Sequence, residues 1–489
     1  MNKCRMNRRN FMKLSGAFAA TMALQGYAFP SLFSGKSKGR PNILFIFADD
    51  LTYEAIHAFG SEVQTPNLDK LVKNGVTFTH AYNQGSWTGA VCIASRTMLN
   101  TGRFLWNANN IVKSLDKEAS AGRFWSQYMK QAGYDTYFTG KWHVKTKIEN
   151  LFDVVKDERP GMPKTVKEAY NRPHEGQSDP WSPYDKSLGG YWEGGTHWSE
   201  VLRDDSISFI KQAATKENPF FMYLAFNASH DPRQSPKEYV DKYPLDEVDV
   251  PENFSPEYPY KDAIGCSEKL RDEAIAPFPR TKYAIKVHRQ EYYALITHMD
   301  TQIGLIFDAL KKQGLDKNTY IFFTADQGLS VGHHGLMGKQ NLYDDSVRVP
   351  LIVNGPGIKP GKIDSPVYLQ DIMPTTLELA GVKIPPQVQF HSLLPAMRGE
   401  GGTYKAVYGG YINLQRMVTA DGWKMILYPK IQKILLYNLK NDPQEMTDLG
   451  QDEKFAGVRK KLFVKLLKLQ AETADPLDLK AVYPELCDD

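Results

Sequence analysis

The chain has 489 residues, enough for one large domain and a smaller companion, and a formal net charge of +4. The positive balance sits at one end. Lys3, Arg5, Arg8, Arg9 and Lys13 fall in the first 28 residues with no acidic partner, and setting those five charges aside turns +4 into −1, which excludes a basic nucleic-acid binder.

Taken in chain order, residues 1–28 read as an export signal. Asn7-Arg8-Arg9-Asn10-Phe11-Met12-Lys13 sets twin arginines before an aromatic residue, an apolar stretch over 14–24 follows, and Gly26-Tyr27-Ala28 offers small residues for cleavage. The stretch is too short and too rich in Gly, Ala and Thr to span a bilayer, and no later run is long and apolar enough. The expected location is the periplasm or the outside of a bacterial cell.

Short apolar runs then recur, each ending in a polar cluster. The run over 43–47 ends at Asp49-Asp50, that over 134–139 at Lys141 and His143, that over 220–226 near His230, and that over 320–324 at Asp326-Gln327. Such runs predict strands buried on both faces. Helices are predicted over 67–74, 123–132, 206–213 and 289–313. The fold class is α/β, a large mixed and mostly parallel sheet flanked by helices. Ligands of open α/β sheets bind beyond the carboxyl ends of the strands. Four strands delivering such residues at one end therefore predict one shared site.

Residues 152–200 break the pattern. Trp181, Tyr184, Tyr191, Trp192, His197 and Trp198 lie close together in a segment with little periodicity. So many aromatics in an irregular insertion predict an ordered active-site loop whose flat faces suit sugar rings, with a satellite core as the alternative. Trp192 and His197, with Arg233 and His334, are the candidate saccharide contacts. A second Pro-rich insertion, 244–280, reads as a surface excursion.

Near Gly399-Glu400-Gly401-Gly402 the texture changes to short predicted strands over 406–411, 415–419, 423–427 and 435–439, followed by a helix over 454–470. The expected organisation is a signal over 1–28, an α/β domain over 38–400 and a C-terminal α+β subdomain over 401–489. Cys266 and Cys487 could pair in an oxidising compartment or stay as free thiols.

The most informative stretch is Val91-Cys92-Ile93-Ala94-Ser95-Arg96, followed by Thr101-Gly102-Arg103. It resembles the modification motif of the formylglycine-dependent sulfatases, members of the alkaline phosphatase-like superfamily. Asp49-Asp50, Gly140-Lys141-Trp142-His143, His230, Asp326-Gln327-Gly328 and Gly338-Lys339 follow in the family's order, so the resemblance covers about 41–449 and points to bacterial carbohydrate sulfatases. It implies that a formylglycine-generating or anaerobic sulfatase-maturating enzyme oxidises Cys92 to formylglycine, whose hydrate is the nucleophile.

Asp49, Asp50, Asp326 and Gln327 offer hard oxygen ligands, and three carboxylates packed together are costly without a cation. The resemblance implies Ca²⁺ ahead of Mg²⁺, held by these four residues and residue 92. Gln327 departs from the Asn or His usual at its position, although its amide oxygen coordinates in the same way. Lys141, His143, His230 and Lys339 match positions around the sulfate, and Arg96 sits one turn from Cys92. The implied roles are attack on sulfur by the hydrate at residue 92, protonation of the departing alcohol by His230 or Lys339, and removal of a second proton by His143.

The function expected is hydrolysis of a sulfate ester on a saccharide. An arylsulfate or choline sulfate is the alternative within the family. A phosphomonoester or phosphonate hydrolase is the rival within the superfamily, and an inactive sulfated-glycan-binding protein is the rival in another class. Cys92, Lys141 and Lys339 favour sulfate over phosphate, and the intact set of candidate catalytic residues argues against binding alone.

Overall fold

Residues 43–48 are all apolar, and in the computed structural model, which describes residues 39–487, every residue of that strand is buried. The described strands are β1 (Asn42–Ala48), β2 (Val76–Tyr82), β3 (Gly85–Ser86), β4 (Asp135–Lys141), β5 (Val154–Arg159), β6 (Phe220–Ala225), β7 (Thr319–Ala325), β8 (Arg348–Asn354), β9 (Gly361–Ile363) and β10 (Val367–Tyr368), then β11 (Val407–Tyr411), β12 (Gln415–Ala420), β13 (Trp423–Tyr428) and β14 (Lys433–Asn438). The helices used below are α1 (Pro66–Asn74), α2 (Val91–Thr101), α3 (Trp125–Gln131), α4 (Trp198–Ala213), α5 (Lys282–Lys312) and α6 (Ala456–Thr473). The export signal read over 1–28 lies outside the described residues.

Nine strands form the main sheet in the order β10-β2-β8-β7-β1-β6-β4-β5, with β9 also on β2. β1 lies parallel between β6 and β7, and β4 and β5 extend the parallel run. β8 runs antiparallel to both β7 and β2. The mostly parallel α/β class expected from the apolar runs is the one observed. Burial on both faces makes each apolar side chain count, at about 1.5–3 kcal/mol for a fully buried Phe or Leu. Tyr223 on β6 gathers Phe45, Phe47, Phe138 and Trp125 around its ring at centroid distances of 4.8–6.0 Å.

The long helix α5 fixes α1 through one carboxylate. Asp300 accepts from the backbone N–H groups of Asn67 (3.1 Å) and Leu68 (2.8 Å), which are donors that a helix start leaves unpaired.

A second sheet, β14-β13-β12-β11-β3, is antiparallel except for its last pair. α6 packs on β12. The pairing of β3 with β11 ties this sheet to the chain just ahead of Cys92: Gly410 N donates to Gln84 O (2.9 Å) and Ile412 N to Ser86 O (2.7 Å). Gly85 has φ +92°, and a Cβ there would lie 2.1 Å from the Gly410 oxygen, so only glycine fits.

The segment over 244–280 corrects its reading as a surface excursion. Ile264, Cys266, Asp272, Glu273, Ala276 and Arg280 are buried, and Glu273 receives the backbone N–H groups of Met337 (3.0 Å) and Gly338 (2.9 Å) and the Arg280 guanidinium (2.6 Å). The chain goes inward because the Gly-rich turn before Lys339 has buried donors that need an acceptor. Cys266 and Cys487 are both free thiols. No helix among the described residues is long and apolar enough to cross a membrane.

Candidate active site

The carboxyl ends of β1, β4 and β7 and the first turn of α2 converge on one buried cluster. Cys92 Sγ lies 3.4 Å from Asp49 Oδ1 and 3.9 Å from Asp50 Oδ1. Gln327 Nε2 faces the same place, 3.1 Å from Sγ and 2.7 Å from Asp50 Oδ1. One ligand-type atom from each of Asp49, Asp50, Cys92 and Asp326 falls within 4.8 Å of the others.

Three cations face the three carboxylates. Lys141 Nζ donates to Asp49, Lys339 Nζ to Asp50 Oδ2 at 2.6 Å, and Arg96 Nε to Asp326 Oδ2 at 2.9 Å. Arg96 also donates to the Lys141 carbonyl at 2.8 Å and lies over the Phe47 ring, 4.7 Å from its centroid. It is fully buried and works on ligand-type residues, which makes it a positioning group. Burial and the neighbouring Asp326 push the Asp49 carboxyl well above the usual carboxylate range. Burial acts on Asp326 too, but Arg96 and Lys141 outweigh it and hold that carboxyl low. The contrast shows carboxylates still competing for positive charge.

The backbone is strained where the cluster needs it. Asp50 and His143 both have left-handed φ, 57° and 51°, at a cost of roughly 1–3 kcal/mol each. Asp50 is held by its own N–H to Asp326 Oδ1 (3.2 Å) and by the Tyr292 hydroxyl on its carbonyl (2.8 Å). His143 packs against Gly161, where a Cβ would come within 2.4 Å of the ring. Burial, then the charges of Lys141 and Arg96, push His143 down to about 2, so its imidazole is neutral. His230 Nδ1 faces the Asp231 carbonyl (2.7 Å), and its Nε2 lies 3.6 Å from Asp50 Oδ2.

The sulfatase family model matches residues 41–382. The chain belongs to the sulfatase family. A second family model, described as the C-terminal part of N-sulphoglucosamine sulphohydrolase, matches residues 332–472. A sulfatase of Formosa agariphila is 30% identical over 447 residues, covering 86% of this chain and 85% of its own. N-acetylglucosamine-6-O-sulfatase of Bacteroides thetaiotaomicron is 25% identical over 515 residues, covering 89% and 87%. Two solved structures share the fold: BT4656 in complex with its substrate D-glucosamine-2-N,6-O-disulfate (TM-score 0.68, 23% identity, 89% of this chain and 99% of that one) and the phosphonate monoester hydrolase SpPMH from Silicibacter pomeroyi (TM-score 0.71, 20% identity, 89% and 96%). The protein is a sulfuric ester hydrolase with the alkaline phosphatase-like architecture.

The donor set of this sulfatase suits a hard cation. Gln327 Oε1 is buried with no hydrogen-bond partner, which is costly for an amide oxygen unless a ligand takes it. Turning the amide over would bring that oxygen to the carboxylates where the nitrogen now stands.

The structure corrects two of the four saccharide contacts read from the sequence, His197 and Trp192. His197 is fully buried, caps α4 by accepting from Ser199 N (3.1 Å), and meets the Gln234 carbonyl through Nε2 (3.0 Å). Trp192 is 5% exposed and donates to the Pro183 carbonyl (3.2 Å). His334 lies flat on Tyr343, 3.7 Å between centroids, and meets Asn253. His197 and Trp192 turn no free face outward, because loop carbonyls and neighbouring rings already occupy them, whereas His334 is half-buried. Tyr191 shows the purpose of the aromatic insertion: its hydroxyl donates to the Asn227 (2.5 Å) and His230 (3.1 Å) carbonyls and so holds the His230 loop. Arg233, the fourth residue, is buried beside that loop.

Sequence reasoning missed the polar frame behind His230 and Lys339. Arg271 bridges Asp231 and Asp272, and Asp272 accepts from Gln340, next in the chain to Lys339. Asp231 Oδ1 stands 3.2 Å from His230 Nδ1. A Pro-rich stretch without periodicity gives little signal of such a frame; only the adjacent charges Arg271-Asp272-Glu273 within it hint at buried pairing.

Proposed function

We propose that the protein removes sulfate from a sulfated saccharide, with residue 92 as the source of the nucleophile. The placement of Cys92 Sγ against Asp49, Asp50 and Gln327, with Lys141 and Lys339 on the same carboxylates, is the observation that carries this reading. Asp49, Asp50, Asp326 and Gln327 would hold Ca²⁺, which supplies Lewis-acid charge at the reacting centre. Formylglycine at residue 92 supplies, as its hydrate, an oxygen nucleophile with a second hydroxyl through which sulfate can be expelled.

The chain's own residues do the rest. Lys141 and Lys339 present ammonium groups to the ester's charged oxygens, where fixed charge stabilises the transition state most. His143, whose buried Nδ1 has no hydrogen-bond partner among the described residues, is the candidate proton acceptor. His230 is aimed by its Nδ1–H on the Asp231 carbonyl, so Nε2 faces the cluster and, with the ring as imidazolium, can give a proton to the departing alcohol oxygen. Arg96 keeps Asp326 and the Lys141 backbone in register.

A saccharide is favoured by the sugar substrates named for N-acetylglucosamine-6-O-sulfatase and BT4656. The twin arginines of the first 28 residues support export to the periplasm or beyond. The deciding experiment is the mass of the peptide containing residue 92 after production with a maturating enzyme, paired with sulfate release from a panel of monosulfated sugars. An unmodified thiol in fully active protein would overturn the formylglycine reading. Phosphate release from monoesters exceeding sulfate release would favour the phosphatase branch.

A further inference from the structure

Arg233 is 2% exposed, and its Nε, Nη1 and Nη2 atoms have no hydrogen-bond partner among the described residues. A guanidinium carries five N–H donors in a fixed fork, and leaving them unpaired in the interior is costly. Other buried arginines are engaged: Arg172 by Asp179 and Glu291, Arg280 by Glu273, and Arg416 by Asp475. The carboxylates around Arg233 are committed as well, Asp231 to Arg271 and Glu291 to Arg172. What Arg233 does have is the face of Tyr292, 5.8 Å away. The Tyr292 hydroxyl in turn holds the Asp50 carbonyl, so Arg233 stands one side chain from the reacting centre.

Arg233 lines a narrow cleft shared with Arg172, Trp181, Asp231 and His288. Asp231 follows His230 in the chain, so the cleft and the candidate active site share the His230–Arg233 loop as a wall. His288 offers a second unsatisfied atom there. Its Nε2 faces the Arg172 carbonyl at 2.8 Å and so carries the proton, which leaves Nδ1 as an acceptor without a donor. A forked cation and a lone acceptor beside it match an oxyanion and a neighbouring hydroxyl.

We propose that this cleft is a subsite for a second anionic group of the sulfated saccharide, a carboxylate or a further sulfate, received by Arg233. The inference rests on the saccharide sulfatase reading above, and it makes the substrate a sugar bearing two anions.

The test uses matched trios of sugars: a neutral monosulfated hexoside, the monosulfated uronate and the disulfated hexoside. For the matured, Ca²⁺-loaded enzyme, kcat/KM for an acidic member is expected to exceed that for the neutral one by roughly tenfold to a hundredfold. Arg233→Gln is expected to remove most of that preference and Arg233→Lys to keep part of it, with melting temperatures measured alongside. A preference confined to the uronate assigns a carboxylate, and one confined to the disulfated sugar assigns a second sulfate. Equal kcat/KM across the trios, or an unchanged preference in folded Arg233→Gln, overturns the subsite. Calorimetric binding of the same compounds to Cys92→Ala protein needs no turnover and should show the same order. Binding in that order without any sulfate release would sink the hydrolytic reading and leave the subsite standing; sulfate release without any order would do the reverse.

Discussion

In the candidate active site, Asp49, Asp50 and Asp326 occupy Lys141, Lys339 and Arg96. Those lysines cannot turn fully to a sulfate while they neutralise buried carboxylates, and in the function proposed above a further cation on the same oxygens would release them. Chelation is therefore expected to abolish sulfate release and to lower the melting temperature, because an ion that binds only the folded state stabilises it by about 2.7 kcal/mol at a hundred times its Kd. Asp326→Asn should lose the Ca²⁺-dependent rise in Tm together with activity; calorimetry on wild type and variant checks both. Cys92→Ala is expected to end turnover with Tm nearly unchanged, since the thiol is small and makes only site contacts. His230→Ala separates leaving groups. A sugar alkoxide needs a proton as it departs and nitrophenolate does not, so the loss should be about 10²–10⁴-fold on a sulfated sugar and far smaller on nitrophenyl sulfate. Equal losses would reassign His230 to sulfate binding and make Lys339 the acid. The clustered residues were legible because each ends a buried apolar run or lies in the Cys92 motif, except Lys339, which was read only from the family resemblance. Asp272 and Gln340 were not, since a buried hydrogen bond between loops leaves no period in the sequence.

Legibility at the scale of elements follows composition rather than position. β1, β6 and β7 carry unbroken apolar runs, and β4 a shorter one between Asp135 and Lys141, while β2 and β8 are flanked on both sides just as these are. β2, with Thr77, Thr79 and His80, and β8, with Arg348 and Pro350, carry polar and Pro residues and leave no such run. The aromatics over 181–198 were visible as a group, but composition could not say which way their faces turn. Tyr191 and His197 turn inward to the Asn227, His230 and Gln234 carbonyls, whereas Tyr184 is exposed and Trp181 lines the Arg233 cleft. The junction of α1 with α5 gives a pH-dependent prediction. Burial pushes the Asp300 carboxyl up to about 6 from an unfolded value near 3.8. A raised pKa means that the folded state holds the extra proton, so this contribution to stability is complete below about pH 4 and lost as pH rises through 6. Urea midpoints of wild type should therefore fall relative to Asp300→Asn between pH 4 and 7. Parallel profiles would show that the capping bonds to Asn67 and Leu68 offset the burial.

For the whole molecule, the consequential contact is the smallest strand. β3 follows β2 of the main sheet, pairs with β11 of the second, and leads within a few residues into α2, which carries Cys92. The C-terminal sheet was expected from its turns and alternating strands, but a two-residue strand upstream of the motif joining it could not be, because so short a pairing has no pattern of its own. Gly85 is where that joint can be tested. It combines φ +92° with a Cβ position 2.1 Å from the Gly410 oxygen, whereas Gly60 has φ +102° and nothing within 4 Å. Gly60→Ala therefore reports backbone strain alone, about 1 kcal/mol. Gly85→Ala adds a clash with backbone that cannot swing aside, and is expected to cost about 3 kcal/mol, the top of the ordinary range for single substitutions. Because the displaced strand leads into α2, sulfate release should fall in Gly85→Ala at temperatures where the protein is still fully folded, and should be retained in Gly60→Ala. If urea unfolding finds the two variants equally stable, the sheets are not coupled through β3, and the C-terminal subdomain supports the site only through the side chains packed beneath it.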